Sequence, residues 1–184
     1  MHVLGISGSL RRASHNTALL HAAQQTAPGG IELELYEELE LLPPYNEDRD
    51  GPGAPEAVKR LRRLVAASDA LLFATPEYNG SIPGQLKNAV DWLSRPRGQA
   101  ALLGKTVAVV GASTSAYGGI WAQADLRKSL GIAGARVIEA ELAVGHAGEH
   151  LYADGHLADA ETRGRLAEVL ADLRQVAQPL AAAA

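Results

Sequence analysis

Val3-Leu4-Gly5-Ile6-Ser7-Gly8-Ser9-Leu10-Arg11-Arg12-Ala13-Ser14-His15-Asn16-Thr17 is the stretch on which the fold of this chain turns. It opens as a short apolar run, the pattern of a buried strand. It then breaks into Gly8, Ser9, Ser14 and Asn16 and resumes with helical spacing through Leu19, Leu20 and Ala23. A strand that turns directly into a helix leaves that helix's first amide N–H groups unpaired and its positive dipole end exposed. Such an end attracts anions, phosphate above all. The loop adds hydroxyls at Ser9, Ser14 and Thr17, an amide at Asn16 and a guanidinium at Arg11 or Arg12. That donor set suits a phosphate monoester, to which charge-assisted bonds are strong. Helix capping alone would account for one of the hydroxyls, not for the cluster.

Two commoner nucleotide loops are absent. Gly5-Ile6-Ser7-Gly8 does not space its glycines as G-x-G-x-x-G. The run from Gly98 to Gly104-Lys105-Thr106 carries five residues between its glycines and precedes a strand, whereas a Walker loop follows one.

Moving outward, the next segments alternate between helix and strand. His15 to about Thr26 reads as a helix stopped by Pro28-Gly29-Gly30. Ile31 to Tyr36 alternates apolar and charged side chains, as a half-exposed edge strand does. Leu41 to Gly53 is too rich in proline and glycine for a regular element, and reads as a long loop. Pro55 suits the first position of a helix with an apolar stripe at Val58, Leu61, Leu64 and Val65. Ala70 to Thr75 is a continuous apolar run, as in a strand buried on both faces of a parallel sheet. It delivers a second polar loop, Thr75-Pro76-Glu77-Tyr78-Asn79-Gly80-Ser81-Ile82-Pro83-Gly84, before a helix carrying Leu86, Ala89, Val90 and Leu93. Thr106 to Val110 reads as a strand opening into a third polar loop, Gly111 to Gly119, and then a helix through Leu130. Arg136-Val137-Ile138 starts a fifth strand, Glu161 to about Ala177 closes the chain as a helix, and Leu180 to Ala184 reads as a frayed tail.

Alternation of this kind predicts an α/β fold, a doubly wound five-stranded parallel sheet with helices on both faces. Ligands in such sheets sit beyond the carboxyl ends of the strands where the order reverses. With the order 2-1-3-4-5 that point lies between strands one and three, the two that feed the first and second polar loops. One domain over residues 1–184 is long enough for a single sizeable core. With a net charge of −4 and no dense basic run, nothing points to nucleic acid. The absence of cysteine excludes disulfides, thiolate nucleophiles and cysteine-ligated metal. Met1-His2-Val3 enters a strand without a leader pattern, and no apolar run approaches the ~20 residues that span a membrane. A cytoplasmic location is expected.

The chain resembles the NADPH-dependent FMN reductases, a flavodoxin-like family that also includes quinone, azo and chromate reductases. The resemblance is carried by Gly8-Ser9-Leu10-Arg11 with Ser14 and Asn16, by Pro76 to Gly84 followed by Leu86-Lys87-Asn88, and by Ser113 to Gly119. The Leu42-Pro43-Pro44-Tyr45 loop and the Asp154-Gly155 turn are similar too. The resemblance implies that Ser9, Arg11, Ser14, Asn16 and Thr17 wrap the FMN phosphate. It also implies that Pro76, Glu77, Tyr78, Asn79 and Gly80 lie along the isoalloxazine, offering backbone N–H groups and the Tyr78 ring. Ser113, Thr114, Ser115, Tyr117, Gly118 and Gly119 would flank the ring's other side, with Tyr117 packing on it and the glycines permitting close approach. Glu77 is expected to be structural, since hydride transfer to a flavin needs no positioned acid on the protein. No catalytic side chain and no metal are expected.

His146-Ala147-Gly148-Glu149-His150 spells an inverted zinc-protease pattern. That pattern needs a helix, and Gly145, Gly148 and Asp154-Gly155 predict a loop instead.

The activity implied is ping-pong transfer of a hydride from NADPH or NADH to FMN. Two electrons then pass to a quinone, free flavin, azo dye or metal oxyanion, in a homodimer or homotetramer. The alternative is a flavodoxin-type electron-transfer carrier. Two arginines in the first loop and the modest net charge argue against the strongly acidic docking face expected of a carrier.

Overall fold

The structure, a computed structural model, describes residues 1–152 and 154–178. Five strands make one parallel sheet: β1 (His2–Ser7), β2 (Glu32–Tyr36), β3 (Ala70–Ala74), β4 (Thr106–Ala112) and β5 (Arg136–Val144). Their order is β2-β1-β3-β4-β5, the expected flavodoxin-like order. The helices are α1 (His15–Thr26), α2 (Glu56–Ala67), α3 (Gly84–Leu93), α4 (Ile120–Ile132), α5 (Ala147–His150) and α6 (Ala160–Ala177).

Period-two alternation divides the apolar strand residues between two cores. Val3, Leu72, Ala108 and Val110 face α1 and α6, where Leu19, Leu166 and Leu170 are fully buried. Leu4, Ile6, Leu71, Phe73 and Val109 face α2, α3 and α4, packing with Leu61, Leu86 and Leu126. Among the described residues no helix is long and apolar enough to cross a membrane.

Several expectations are corrected in detail. Pro55 caps α2 rather than opening it. The loop from Leu41 to Gly53 is built partly of single 3-10 turns, at Leu39–Leu41, Glu47–Arg49 and Gly51–Gly53. β4 continues through Gly111 and Ala112, so the third loop starts at Ser113. β5 carries two extra residues against β4, since Val107 pairs with Val137 but Val109 with Glu141. The Arg127 guanidinium gathers the displaced carbonyls, with Nη2 donating to Glu139 at 3.0 Å and Ala140 at 2.7 Å.

Residues 147–150 form a helical turn, not the expected loop. The reason is tertiary: His146 N–H donates to Ser115 O and Ala147 N–H to Ser113 O, each at 3.0 Å. His146 enters the turn left-handed, at φ 48°. The tail from Leu180 to Ala184 lies outside the described residues.

Candidate functional site

The loops after β1, β3 and β4 leave the carboxyl edge of the sheet side by side and enclose a cleft of about 150 Å³. Its walls are Ser9, Arg11, Ser14, His15 and Asn16 from the first loop, Pro76, Glu77 and Tyr78 from the second, and Ser113 and Thr114 from the third. A larger hollow of about 610 Å³ lies between the carboxyl ends of α3 and α4. None of its lining residues belongs to the three polar loops.

The first loop becomes a phosphate-sized cradle because α1 starts inside it. Ser14 caps the helix, its Oγ accepting from Thr17 N–H at 3.1 Å. Among the described residues, no acceptor faces the first-turn N–H groups of His15 and Asn16. They are free for an anion. Ser9 and Ser14 keep hydroxyl protons to donate, and Arg11 is exposed, with Nη2 resting on Ala13 O at 3.0 Å. This set fits a phosphate monoester.

Two residues of the expected phosphate set face elsewhere. Asn16 is 2% exposed, and its carboxamide is bonded at both ends to Ala112: Nδ2 donates to O at 2.9 Å and Oδ1 accepts from N–H at 3.0 Å. It therefore offers its backbone N–H and ties the first loop to the third. Thr17 Oγ1 donates to Ser7 Oγ at 2.9 Å and lines an adjoining cleft with Tyr36 and Glu37. Burial, then the nearby Glu38 carboxylate, pushes the Tyr36 hydroxyl up to about 12.

The second loop is a two-residue hairpin turn. Tyr78 and Ser81 exchange backbone hydrogen bonds at 3.0 and 3.1 Å, while Asn79 (φ 55°) and Gly80 (φ 75°) are both left-handed. Two successive positive φ values define the type I′ turn, which Asn-Gly favours. This puts Asn79 and Gly80 at an exposed tip, outside the cleft wall, and leaves Tyr78 half exposed beneath it. Both ends of the turn are pinned to α4. Glu77 Oε2 accepts from the N–H groups of Trp121 (3.1 Å) and Ala122 (3.2 Å), and Ser81 Oγ donates to Asp125 at 2.6 Å. Glu77 is thus a helix N-terminal acceptor, the structural role expected of it.

In the third loop, Ser113 Oγ accepts from Ser115 N–H at 3.1 Å, closing the turn. Gly118 approaches a backbone closely, but it is the protein's own, whereas a Cβ on Gly119 would make only ordinary contacts, the nearest 3.6 Å from Thr75 O. A Cβ on Gly118 would lie 2.6 Å from the carbonyl carbon of Ala143. Tyr117 lies outside the cleft wall, half exposed, with its ring 5.0 Å from that of Trp121.

A polar stripe on α3 escaped the sequence reading. Gln85 Nε2 donates to Leu39 O (2.7 Å) and Leu42 O (2.9 Å), Asn88 Nδ2 to Pro43 O (2.9 Å), and Trp92 Nε1 to Pro43 O (2.8 Å). Together they hold the proline loop beside the site. Their helical spacing at 85, 88 and 92 was the available signal.

A family model described as NADPH-dependent FMN reductase matches residues 1–149. The chain is 51% identical over 128 residues to an NAD(P)H-dependent FMN reductase of Pseudomonas aeruginosa, covering 70% of this chain and 68% of that one. It is 37% identical over 159 residues to a 2-hydroxy-1,4-benzoquinone reductase of Burkholderia sp, covering 86% of each. Among solved structures, FerB, a flavoenzyme NAD(P)H:(acceptor) oxidoreductase of Paracoccus denitrificans, is similar at TM-score 0.85 and 36% identity. That match covers 95% of this chain and 97% of FerB.

Proposed function

The chain belongs to the NADPH-dependent FMN reductase family, and on that premise we propose that it is an NAD(P)H-dependent quinone reductase with FMN held where its three loops meet. One observation carries the site: two unpaired N–H groups of α1 and the Arg11 guanidinium border the same cleft as Glu77, Tyr78 and Ser113. FMN, when bound, supplies the two-electron chemistry, taking a hydride from NAD(P)H and reducing a quinone to the hydroquinone.

The protein's part is binding and orientation. The N–H groups of His15 and Asn16, the hydroxyls of Ser9 and Ser14, and Arg11 hold the phosphate, their dipoles and charge complementing its negative oxygens. Asn16 fixes that cradle against β4 through Ala112. In the turn from Pro76 to Gly80, Pro76 has no N–H and that of Tyr78 is spent on Ser81 O, so the N–H groups of Glu77, Asn79 and Gly80 are those offered to the ring, from a turn that its pinning to α4 already holds in place. Ser113 to Gly119 closes the other side. The exposed Asn79-Gly80 tip has little side-chain bulk and leaves one face open. Reductant and acceptor use that face in turn, so the kinetics are ping-pong. Free flavins, azo dyes and metal oxyanions are further acceptors of this reading. The working form is a cytoplasmic homodimer or homotetramer, as the family resemblance implies.

The test is anaerobic mixing of the FMN-loaded protein with NADPH or NADH, followed by benzoquinone. Rapid bleaching of the flavin band and its return with quinone support the reading. Failure of both nucleotides to bleach it would favour an electron carrier.

A further inference from the structure

The chain has few aromatic residues, two Trp, five Tyr and one Phe, and four of these eight, Tyr78, Tyr117, Trp121 and Tyr152, are about half exposed. Trp92 and Phe73 are fully buried, and Tyr36 is 6% exposed. Tyr117 and Trp121, 58% and 50% exposed, are set apart by packing on each other, with ring centroids 5.0 Å apart and planes inclined at 56°. Leaving a Trp ring half in water forgoes much of the stabilisation that burial would give it.

The two rings are presented by a stiff backbone. Gly118, between them in sequence, is wedged against Ala143 and Val144. Trp121 N–H is held by the Glu77 carboxylate at 3.1 Å. Glu77 lines the cleft, and Tyr117 belongs to the loop whose start, Ser113-Thr114, lines it too. The ring pair therefore stands outside the cleft wall but is tied to it, through Glu77 and through the chain of the third loop.

We propose that Trp121, supported by Tyr117, is the specificity-determining residue for the electron acceptor, selecting acceptors with a flat fused-ring body over small inorganic ones. The inference rests on the quinone-reductase reading and deepens it. An offset or edge-on aromatic contact favours a planar quinone body and is denied to a small hydrated anion. The pair supplies binding only; Trp121 and Tyr117 neither give nor take a proton or electron.

The experiment uses FMN-loaded wild type, Trp121→Ala and Trp121→Phe. Steady-state kinetics with 1,4-naphthoquinone and with ferricyanide as acceptors are compared with the anaerobic rate of reduction by NADPH. Equilibrium dialysis of 1,4-naphthoquinone against the oxidised protein adds a binding readout that needs no turnover. Trp121→Ala is expected to raise the KM and the dialysis Kd for naphthoquinone about 3- to 10-fold. Its ferricyanide KM and its NADPH reduction rate should stay within about twofold of wild type. Trp121→Phe should restore most of the loss. Equal effects on both acceptors, no effect on either, or a change of oligomeric state on gel filtration would overturn the proposal. Were NADPH and NADH both to leave even the wild type unreduced, the quinone-reductase reading itself would fail, while the dialysis values would still decide whether Trp121 holds the ring.

Discussion

Asn16 and Ala112, separated by most of the sheet in sequence, are joined by a reciprocal pair of hydrogen bonds, side-chain amide to backbone amide, at 2.9 and 3.0 Å. The pair is buried and crosses from the start of α1 to the last residue of β4. It therefore sets the spacing between the first and third loops. Asn16→Ala would leave both backbone groups of Ala112 without partners, at about 1–3 kcal/mol each. Urea unfolding should show a loss of about 2–6 kcal/mol. An unchanged midpoint would remove Asn16 from the framework of the site.

The two neighbouring arginines are expected to behave differently. Arg11 lines the cleft where the three loops meet, while Arg12 lies in the same exposed segment outside it. Arg11→Ala should weaken FMN binding about 10- to 150-fold, the equivalent of a charged hydrogen bond. Arg12→Ala should change it less than about threefold, the scale of an exposed charge interaction. Fluorescence titration of the two variants decides, and the reverse ranking would transfer the phosphate contact to Arg12.

How much of this was legible is clearest residue by residue. The central strands were legible because β1, β3 and β4 are apolar on both faces, and β2 as an edge because it alternates, while the order itself came with the flavodoxin-like resemblance. The loops were legible as sites because polar and glycine residues cluster where strands end. The use of Asn16 was not, since a carboxamide has the same donors for a phosphate as for a peptide group 96 residues away. Gly118 looked like room for a ligand, yet it makes room for Ala143, a contact that only the folded sheet creates. The turn at 147–150 was hidden for the same reason: its first N–H groups find acceptors on Ser113 and Ser115.

Glu77 offers a test of structural against chemical roles. Its carboxylate takes two N–H groups at the start of α4. Glu77→Ala should lower stability by about 1–2 kcal/mol, as loss of a helix cap does. At saturating FMN the rate of flavin reduction by NADPH should stay within about threefold of wild type. A loss beyond about 100-fold with FMN still bound would make Glu77 a catalytic residue.

Asp50 gives the proline loop its pH dependence. Burial favours its neutral form, but the hydrogen bonds from Arg62 (2.8 Å) and Gly51 N–H (2.8 Å), with the charges of Arg62 and Arg95, outweigh burial. The result is a carboxyl below its ordinary value of about 4. A depressed value in the folded state stabilises the protein above the unfolded value, and that stability is lost as pH falls through the folded one. Asp50→Asn should thus cost about 2 kcal/mol at pH 7, with the gap from wild type closing below about pH 4. A gap that is the same at pH 7 and pH 3 would show that the Asp50 charge contributes nothing.

The central claim is that the first loop and the amino end of α1 hold the phosphate of FMN. Titration of the apoprotein with FMN and with riboflavin, which differ only in that phosphate, tests it most directly. Two or more charged hydrogen bonds predict that FMN binds at least about 100-fold more tightly than riboflavin. Equal affinity for the two flavins would contradict the account.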